Sequence, residues 1–442
     1  MCPWHRFNSQ TCSREASIGL ESVNYQCPAC GGPLRYDGGK GKLVCDHCDS
    51  EFEVAQIEAM FATAEAKAEE RAAGAGAQTL DGGYVCASCG AQLMTDGTVA
   101  VSRCPYCGNQ TMQAATFTGD FKPDLVIPFK LDHKAAVAAL DEHYKGKILL
   151  PREFKTGNHI DEVQGVYVPF WLYDSNANGS ATFEATNTRS YMRGDDEIIE
   201  TDHYTCERSG SMAFTLIPVD GSTRMPDGHM DSIEPYDYQS LVTYSSAYLP
   251  GFLANRWDED VDACRCRAEH RVTKSVESAL GETVTGYATV DCTSSNVDCG
   301  WHDERCALFP VWMLSTSWEG QNFLFAMNGQ TGRLVGDLPI SKPKLIAICA
   351  VVFAVLFGGL WVGMDGASVM ESDNPLWGLA MIVLIPVIIT VIVGAVLVGQ
   401  MKSAIEAGQA DNYLDRSTFQ LASQSDTYTH TTTQVIHHEK KK

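Results

Sequence analysis

Basic residues are scarce in this chain. Its 442 residues include 33 Lys and Arg against 55 Asp and Glu, which gives a formal net charge of −22. A protein that binds a long stretch of nucleic acid needs lysine and arginine to neutralise phosphates, so the charge argues against nucleic acid as a partner. The 45% share of hydrophobic residues fits a folded protein, and the length is enough for two to four domains.

The sequence also lacks the common catalytic motifs. It contains no G-x-x-x-x-G-K-[ST] phosphate loop, no G-x-S-x-G elbow, no H-E-x-x-H and no G-x-G-x-x-G after a strand. We therefore do not predict an enzyme. The first twenty residues contain no apolar segment of the kind that a secretory signal requires, and we expect residues 1–21 to be a disordered leader.

Charged residues are absent from two long apolar runs near the end of the chain. Leu345 to Met364 contains 20 residues, and Leu376 to Val398 contains 23. A helix rises about 1.5 Å per residue, so about 20 residues cross a hydrocarbon core of roughly 30 Å. We therefore predict a two-helix transmembrane hairpin at 341–400.

Cations flank these two runs unevenly. Lys342 and Lys344 precede the first run and Lys402 follows the second, whereas the connector at 365–375 has no Lys or Arg. The positive-inside rule then predicts a plasma-membrane protein with both termini in the cytoplasm and the connector outside. The polar tail at 401–442 either lacks fixed structure or supplies a strand to a partner's sheet.

Eight of the 17 cysteines form four C-x2-C pairs. In a reducing cytoplasm such pairs indicate metal before disulfides. Fourteen residues separate the two pairs of each set, and the second set follows the first after 59 residues. A tight turn aims both sulfurs of a pair at one ion, and a hairpin between the pairs closes a tetrahedral site. The predicted ligands are Cys27, Cys30, Cys45 and Cys48, and Cys86, Cys89, Cys104 and Cys107.

These quartets predict two tandem zinc ribbons with one zinc ion each. Iron in a rubredoxin-like site is the alternative. All four ligands come from protein, so the sites are structural and leave no coordination position for a substrate. A ribbon of roughly 30 residues cannot bury a useful core, and structural zinc supplies on the order of 10 kcal/mol of folding free energy. The turn before Asp49 lacks the glycine of the other three turns, so we expect strain there.

A further group of ligand-type residues has the pattern C-x6-C-x2-H-x3-C. It comprises Cys292, Cys299, His302 and Cys306 and is a candidate third metal site. Its gaps contain Ser, Asp and Asn without the Pro and Gly of the ribbon turns. Scattered thiols are therefore the favoured interpretation.

The rest of the chain mixes strands and helices without βαβ alternation, which predicts a multidomain α+β fold. VQGVYVPFWLYD, SATFEAT and SMAFTLIPVD read as strands separated by turns. Similar Pro-x-Trp strands at Pro169 and Pro310 indicate a duplicated core. The predicted organisation begins with a leader at 1–21. Zinc ribbons at 22–53 and 81–118 follow, joined by a helical linker at 54–80. After them come an α+β domain at 119–340, a transmembrane hairpin at 341–400 with spans at 345–364 and 376–398, and a tail at 401–442.

The order of these features resembles a bacterial family of zinc-ribbon membrane proteins of the transcription-factor-IIB type. The resemblance rests on the two C4 ribbons, then PDLVIPFKLDHKAAVAALDEHYKGKILLPREF, GVYVPFWLYD, SIEPYDY and FAMNGQTGRLVGDLP, then a membrane segment. It covers about Val23 to the anchor. The eight ribbon cysteines match the family pattern, and the group from Cys292 to Cys306 lies outside it. Some relatives carry a primosomal-helicase label, which the missing phosphate loop contradicts for this chain.

The resemblance implies a function as a membrane scaffold. Such a scaffold recruits cytoplasmic or membrane-associated proteins, of which flotillin-like and phage-shock-type proteins of the envelope-stress response are the expected partners. An enzyme of unknown reaction in the α+β domain and a membrane-tethered nucleic-acid-binding protein are the alternatives.

Overall fold

A computed structural model describes residues 25–62, 79–95, 103–108, 112–118, 123–157, 163–363 and 375–437. The predicted leader, most of the predicted linker and nearly all of the connector between the apolar runs lie outside the described residues. The fold is mixed α+β with large sheets, which confirms the α+β part of the predicted class.

Seven helices are described. They are α1 (54–62), α2 (His133–His143), α3 (Arg152–Gly157), α4 (Asp227–Ser232), α5 (Val261–Gly281), α6 (Lys342–Gly363) and α7 (Pro375–Gly399).

Fifteen strands are described, and they form two sheets. The three-stranded sheet contains β1 (Leu34–Asp37), β2 (Lys42–Cys45) and β3 (Glu51–Phe52). The twelve-stranded sheet contains β4 (Thr79–Cys86), β5 (Gln92–Met94), β6 (Met112–Thr118), β7 (Leu125–Val126), β8 (Gln164–Arg193), β9 (Asp196–Asp220), β10 (Val242–Thr243), β11 (Leu253–Asn255), β12 (Thr289–Trp318), β13 (Gln321–Asn328), β14 (Leu334–Gly336) and β15 (Leu414–His437).

The antiparallel pair β8 and β12 forms the centre of the large sheet. An offset of 141 residues relates Pro169 to Pro310 and Trp171 to Trp312. The register has the same symmetry, because Pro169 lies opposite Leu308 and Pro310 lies opposite Tyr167. The short strand β7 runs parallel to β12, and β11 runs parallel to β8 at the matching positions. This pseudo-twofold arrangement is the one that a duplicated core predicts.

Strand β8 continues where the sequence pattern predicts a turn. The segment SNANGS lies inside one strand of 30 residues, so VQGVYVPFWLYD and SATFEAT are not separate strands. The reason is the packing of α5 on this sheet. A Cβ atom on Gly179 would lie 2.4 Å from Val276 Cγ1, so the glycine is required for close approach of the helix and not for a turn.

Helix α5 covers one face of the long strands. Its buried residues recur at spacings of three and four, which places them on one side of the helix. They pack against Tyr173, Phe183 and Phe214 of β8 and β9, and the apolar members are Cys264, Ala268, Val272, Val276 and Leu280. The opposite face of this part of the sheet has no covering layer among the described residues, and Asn176, Asn178 and Ser180 are exposed there.

Helices α6 and α7 are each long and apolar enough to cross a membrane. They pack against each other where Cys349 Sγ lies close to Gly394. Twelve of their large apolar side chains are exposed, including Val355 and Val391. The ends of the pair that lie nearest the sheet contact the main core through Leu345, Ile348 and Leu397.

The chain after α7 returns to the large sheet. Strand β15 pairs antiparallel with β9 from Leu414 to His437, so the described part of the tail is structured and belongs to the sheet of its own chain. The composition of the tail is polar, and its pairing depends on a strand that lies about 200 residues earlier in the sequence. No local pattern could therefore have revealed it.

Buried charges fix the segment between α7 and β15. Arg271 on α5 donates from Nη2 to Glu234 at 2.7 Å, and Tyr413 donates to the same carboxylate at 2.7 Å. Arg271 Nε also donates to the carbonyl of Gln409. Asp231 accepts from the backbone N–H of Ala407 at 2.9 Å. These groups are buried, so each depends on its partner for compensation of its lost hydration.

We predict that Arg271→Ala destabilises the full-length chain by about 3–5 kcal/mol, because it leaves Glu234 buried without its cation. Urea unfolding in detergent micelles, followed by near-UV circular dichroism, measures the change. Lys274→Ala on the same helix is the matched control, since Lys274 forms an exposed pair with Glu277. Equal destabilisation by both changes would contradict the role of the buried pair.

Candidate metal centres

The first quartet lies on two turns that flank the hairpin of β1 and β2. In the first turn the N–H of Gly31 donates to the carbonyl of Cys27 at 2.8 Å. In the second turn the N–H of Asp49 donates to the carbonyl of Cys45 at 3.0 Å. Asp49 has a φ of 56°, whereas glycine occupies the equivalent place in the other turns. The predicted strain is therefore present, at a cost of about 1–2 kcal/mol.

The sulfur atoms of each quartet are arranged as a tetrahedral ion requires. The Sγ atoms of Cys27 and Cys48 lie 3.7 Å apart, and those of Cys30 and Cys45 lie 3.5 Å apart. In the second quartet the corresponding separations are 3.6 Å and 3.7 Å. A metal–sulfur bond of about 2.3 Å implies an edge of about 3.8 Å in a regular tetrahedron. Both quartets could therefore hold a metal ion, and their cysteines are not joined as disulfides.

The two quartets differ in exposure. Cys30 and Cys48 of the first quartet are exposed, whereas Cys27 and Cys45 are buried. In the second quartet two cysteines are buried and the other two, Cys89 and Cys107, are half-buried. The first site therefore presents two sulfurs to solvent, and the second is better covered by protein.

Two cysteines of the first quartet have pKa values that are shifted in opposite directions. Hydrogen bonds from the Ser50 hydroxyl and backbone lower the pKa of Cys48 to about 6. A backbone hydrogen bond from Gly32 lowers the pKa of Cys30, but contacts with Cys48 and Cys45 outweigh it and raise the value to about 12. Contacts with Cys30 and Cys45 thus favour the thiolate of Cys48, whereas contacts with Cys48 and Cys45 oppose ionisation of Cys30. A divalent cation removes this conflict because it binds all four as thiolates.

Both quartets belong to the body of the protein. The backbone N–H of Tyr36 in β1 donates to the carbonyl of Pro250 at 2.9 Å, and the hydroxyls of Tyr25 and Ser246 are 2.6 Å apart. Strand β5 of the second quartet pairs with β11 of the large sheet, where Leu93 lies opposite Asn255. The segments predicted as ribbons are therefore packed against the α+β region over a shared core.

The structure does not bring the candidate third site together. Cys292, Cys299, His302 and Cys306 all lie along β12. At about 3.3 Å per residue, the first and last of these are separated by roughly 45 Å. Cys306 is buried and Cys292 is exposed. Among the described residues, the groups that could hold a metal ion are the two quartets.

A polar cleft of about 240 Å³ lies beside α5 and escaped the sequence analysis. It is lined by Asp227, Asp231, Cys266, Arg267, His270, Arg271, Glu406 and Ala407. Four of its charged groups have partners. Arg267 donates to Asp220 at 2.9 Å and also pairs with Asp227 and Asp231, and Arg271 pairs with Glu234. Burial raises the pKa of Asp220 to about 7, although Arg267 opposes the shift. The cleft thus contains the ion pairs that hold the segment before β15.

The fold and the sites define a mixed α+β protein with two tetracysteine clusters and two apolar helices near its end. The protein YdjG of Bacillus subtilis strain 168 is 31% identical over 357 residues, which are 80% of this chain and 99% of that protein. The chain belongs to the same family as YdjG. No family model matches the chain. No solved structure matches it.

We predict that the full-length protein binds two metal ions per chain, one in each quartet. Cys27→Ser or Cys86→Ser removes one ligand and is expected to lower the content to one ion, because a closed four-sulfur site loses most of its affinity with one thiolate missing. Elemental analysis of the purified protein measures the content. Cys292→Ser is the control, because this exposed cysteine lies outside both quartets. Loss of metal in the control, or two ions in both variants, would contradict the assignment.

Proposed function

We propose that this chain is a two-pass, membrane-anchored scaffold. In this proposal the zinc ribbons and the α+β region recruit protein partners at the cytoplasmic face of the plasma membrane. The observation that carries the proposal is the pairing of β9 with β15. These strands precede and follow the two apolar helices, so both flanks remain on one side of any bilayer that the helices cross. That arrangement is the one that a hairpin anchor requires.

The exposed side chains of α6 and α7 support the anchor. Ile346, Val351 and Val355 have relative exposures of 69%, 63% and 67%. An apolar surface of this extent on two adjacent helices is unfavourable in water and marks a contact with lipid or protein. The end of the hairpin next to the sheet is basic. Lys344 donates to the carbonyl of Leu150 at 2.6 Å, and Lys147 donates to that of Gln400 at 2.5 Å. Cations at this end support a cytoplasmic position for the sheet.

Zinc is the metal that the two quartets favour. Four thiolates in a reducing compartment form a closed tetrahedral site that suits zinc. When bound, zinc supplies structural crosslinks between the turns and no open coordination position. The resemblance to zinc-ribbon membrane proteins of the transcription-factor-IIB type supports the same assignment.

A binding role fits these features better than catalysis. Asp227, Asp231, Arg267 and Arg271 of the cleft beside α5 are engaged in ion pairs next to the segment before β15. The acidic net charge disfavours nucleic acid. Cytoplasmic or membrane-associated proteins are then the partners, with flotillin-like or phage-shock-type proteins as the proposed class.

The proposed topology predicts where a membrane-impermeant maleimide reacts. A cysteine introduced at Ser368, in the connector, should be modified in intact cells, because the connector faces outward. The native Cys292 is exposed on the sheet and should react after permeabilisation only. Mass spectrometry of the peptides that contain the introduced cysteine and Cys292 measures the modification of both sites in one sample. Modification of Cys292 in intact cells would contradict a cytoplasmic sheet.

The scaffold proposal predicts partners that depend on the quartets. Proteins that co-purify with the wild-type chain from native membranes should fall at least about tenfold with Cys27→Ser and with Cys86→Ser. Cys292→Ser is the matched control and should retain them. Metal content of the unaltered quartet verifies that each variant remains folded. An unchanged set of partners in both quartet variants would contradict the recruiting role.

A further inference from the structure

Strand β15 leaves a long backbone edge without a partner. It pairs with β9 on one side, and no described strand pairs with its other side. Its residues from Gln420 to His437 are exposed. The strand has 24 residues, so at about 3.4 Å per residue the open edge extends for roughly 80 Å. Such an edge presents a row of N–H and C=O groups that can pair with another strand.

This edge has few of the features that normally prevent pairing. Soluble proteins protect edge strands with lysine, proline, other charges or β-bulges. The register of β15 with β9 shifts at three places, but charge and proline are scarce. From Ser417 to Ile436 the sequence has no proline, and its one formally charged residue is Asp426. That carboxylate lies 2.5 Å from Arg208 Nη1 of the neighbouring strand, so its charge is already compensated. Thr, Ser and Gln make up most of the remaining strand and can form cross-strand hydrogen bonds.

The other open edge of the long strands is protected. Between Thr289 and Arg305, β12 pairs with β8 on one side and with no described strand on the other. This segment contains four carboxylates. Asp303 and Glu304 are paired with Arg305 and Arg265, and the other two, Asp291 and Asp298, are exposed. If the β12 edges of two copies paired, carboxylates would lie opposite carboxylates, which is unfavourable. Of these two open edges, the edge of β15 is therefore the one better suited to pairing with another strand.

The length of the edge indicates what covers it. A strip about 80 Å long and about 10 Å high corresponds to roughly 800 Å² per partner, the size of a standard stable interface. The occupant must therefore supply a similarly long strand with little charge, and β15 itself is such a strand. Antiparallel pairing of two identical strands is self-complementary and closes as a twofold dimer. Pairing of β15 with β12 of another copy would leave one edge open at each end and favour open-ended assembly.

We propose that two copies of this chain form a symmetric dimer in which their β15 strands pair antiparallel and join the two sheets. The inference does not depend on the proposed scaffold function. A dimer of this kind would present two copies of each metal quartet and two hairpins in one assembly.

The test uses the full-length chain in lipid nanodiscs at micromolar concentration, with protein mass measured by native mass spectrometry. The wild type should have twice the 48.2 kDa mass of one chain. The variant with Ser425→Lys, Thr427→Lys and Thr433→Lys should become monomeric, with a dissociation constant raised at least about tenfold. Lysines on both edges repel each other when two copies approach. A photo-crosslinking residue at Thr427 should link to β15 of the second copy.

The matched control adds the same charge to an interior strand. Asn176, Asn178 and Ser180 are exposed on β8, which lies two strands away from the edge. Their triple change to lysine should leave the dimer intact. A content of two metal ions verifies that each variant is folded. A monomeric wild type, a dimer that survives the β15 changes, or crosslinks from Thr427 to β12 would each overturn the proposal.

Discussion

Most described parts of the large sheet attach to the antiparallel pair of β8 and β12. Strand β9 attaches to β8, and β15 attaches to β9. The second quartet reaches the same sheet through β5 and β11, since β11 pairs with β8. Helix α5 packs on the long strands where glycine allows close approach. The ladder thus links the metal quartets, the returning tail and the apolar helices into one structure.

This arrangement changes how the metal quartets contribute to the protein. Independent ribbons would be free modules, whereas the two tetracysteine segments are packed against the α+β region through Tyr36 and Leu93. A metal ion in either quartet would therefore stabilise a part of the shared core. The exposed sulfurs of Cys30 and Cys48 still leave one face of the first quartet open to solvent.

The tail that follows the two apolar helices returns to the large sheet and fixes the position of the helices. Buried charges at Arg271 and Glu234 hold the segment that follows α7, and β15 then adds a strand to the sheet. A short polar linker alone could not fix the hairpin relative to the sheet. The pairing of β15 and the ion pairs together do so, because breaking either one exposes unpaired backbone or an uncompensated charge.

Local chemistry allowed the sequence to predict the quartets and the apolar helices. The spacing of C-x2-C pairs, the missing glycine at Asp49 and runs of 20 uncharged residues each act within a few turns of chain. Contacts between distant segments decided the rest. SNANGS is extended because α5 packs against Gly179, and Cys292 lies far from Cys306 because β12 is one continuous strand. The tail pairs with β9 of its own chain, and no pattern within the tail identifies that partner.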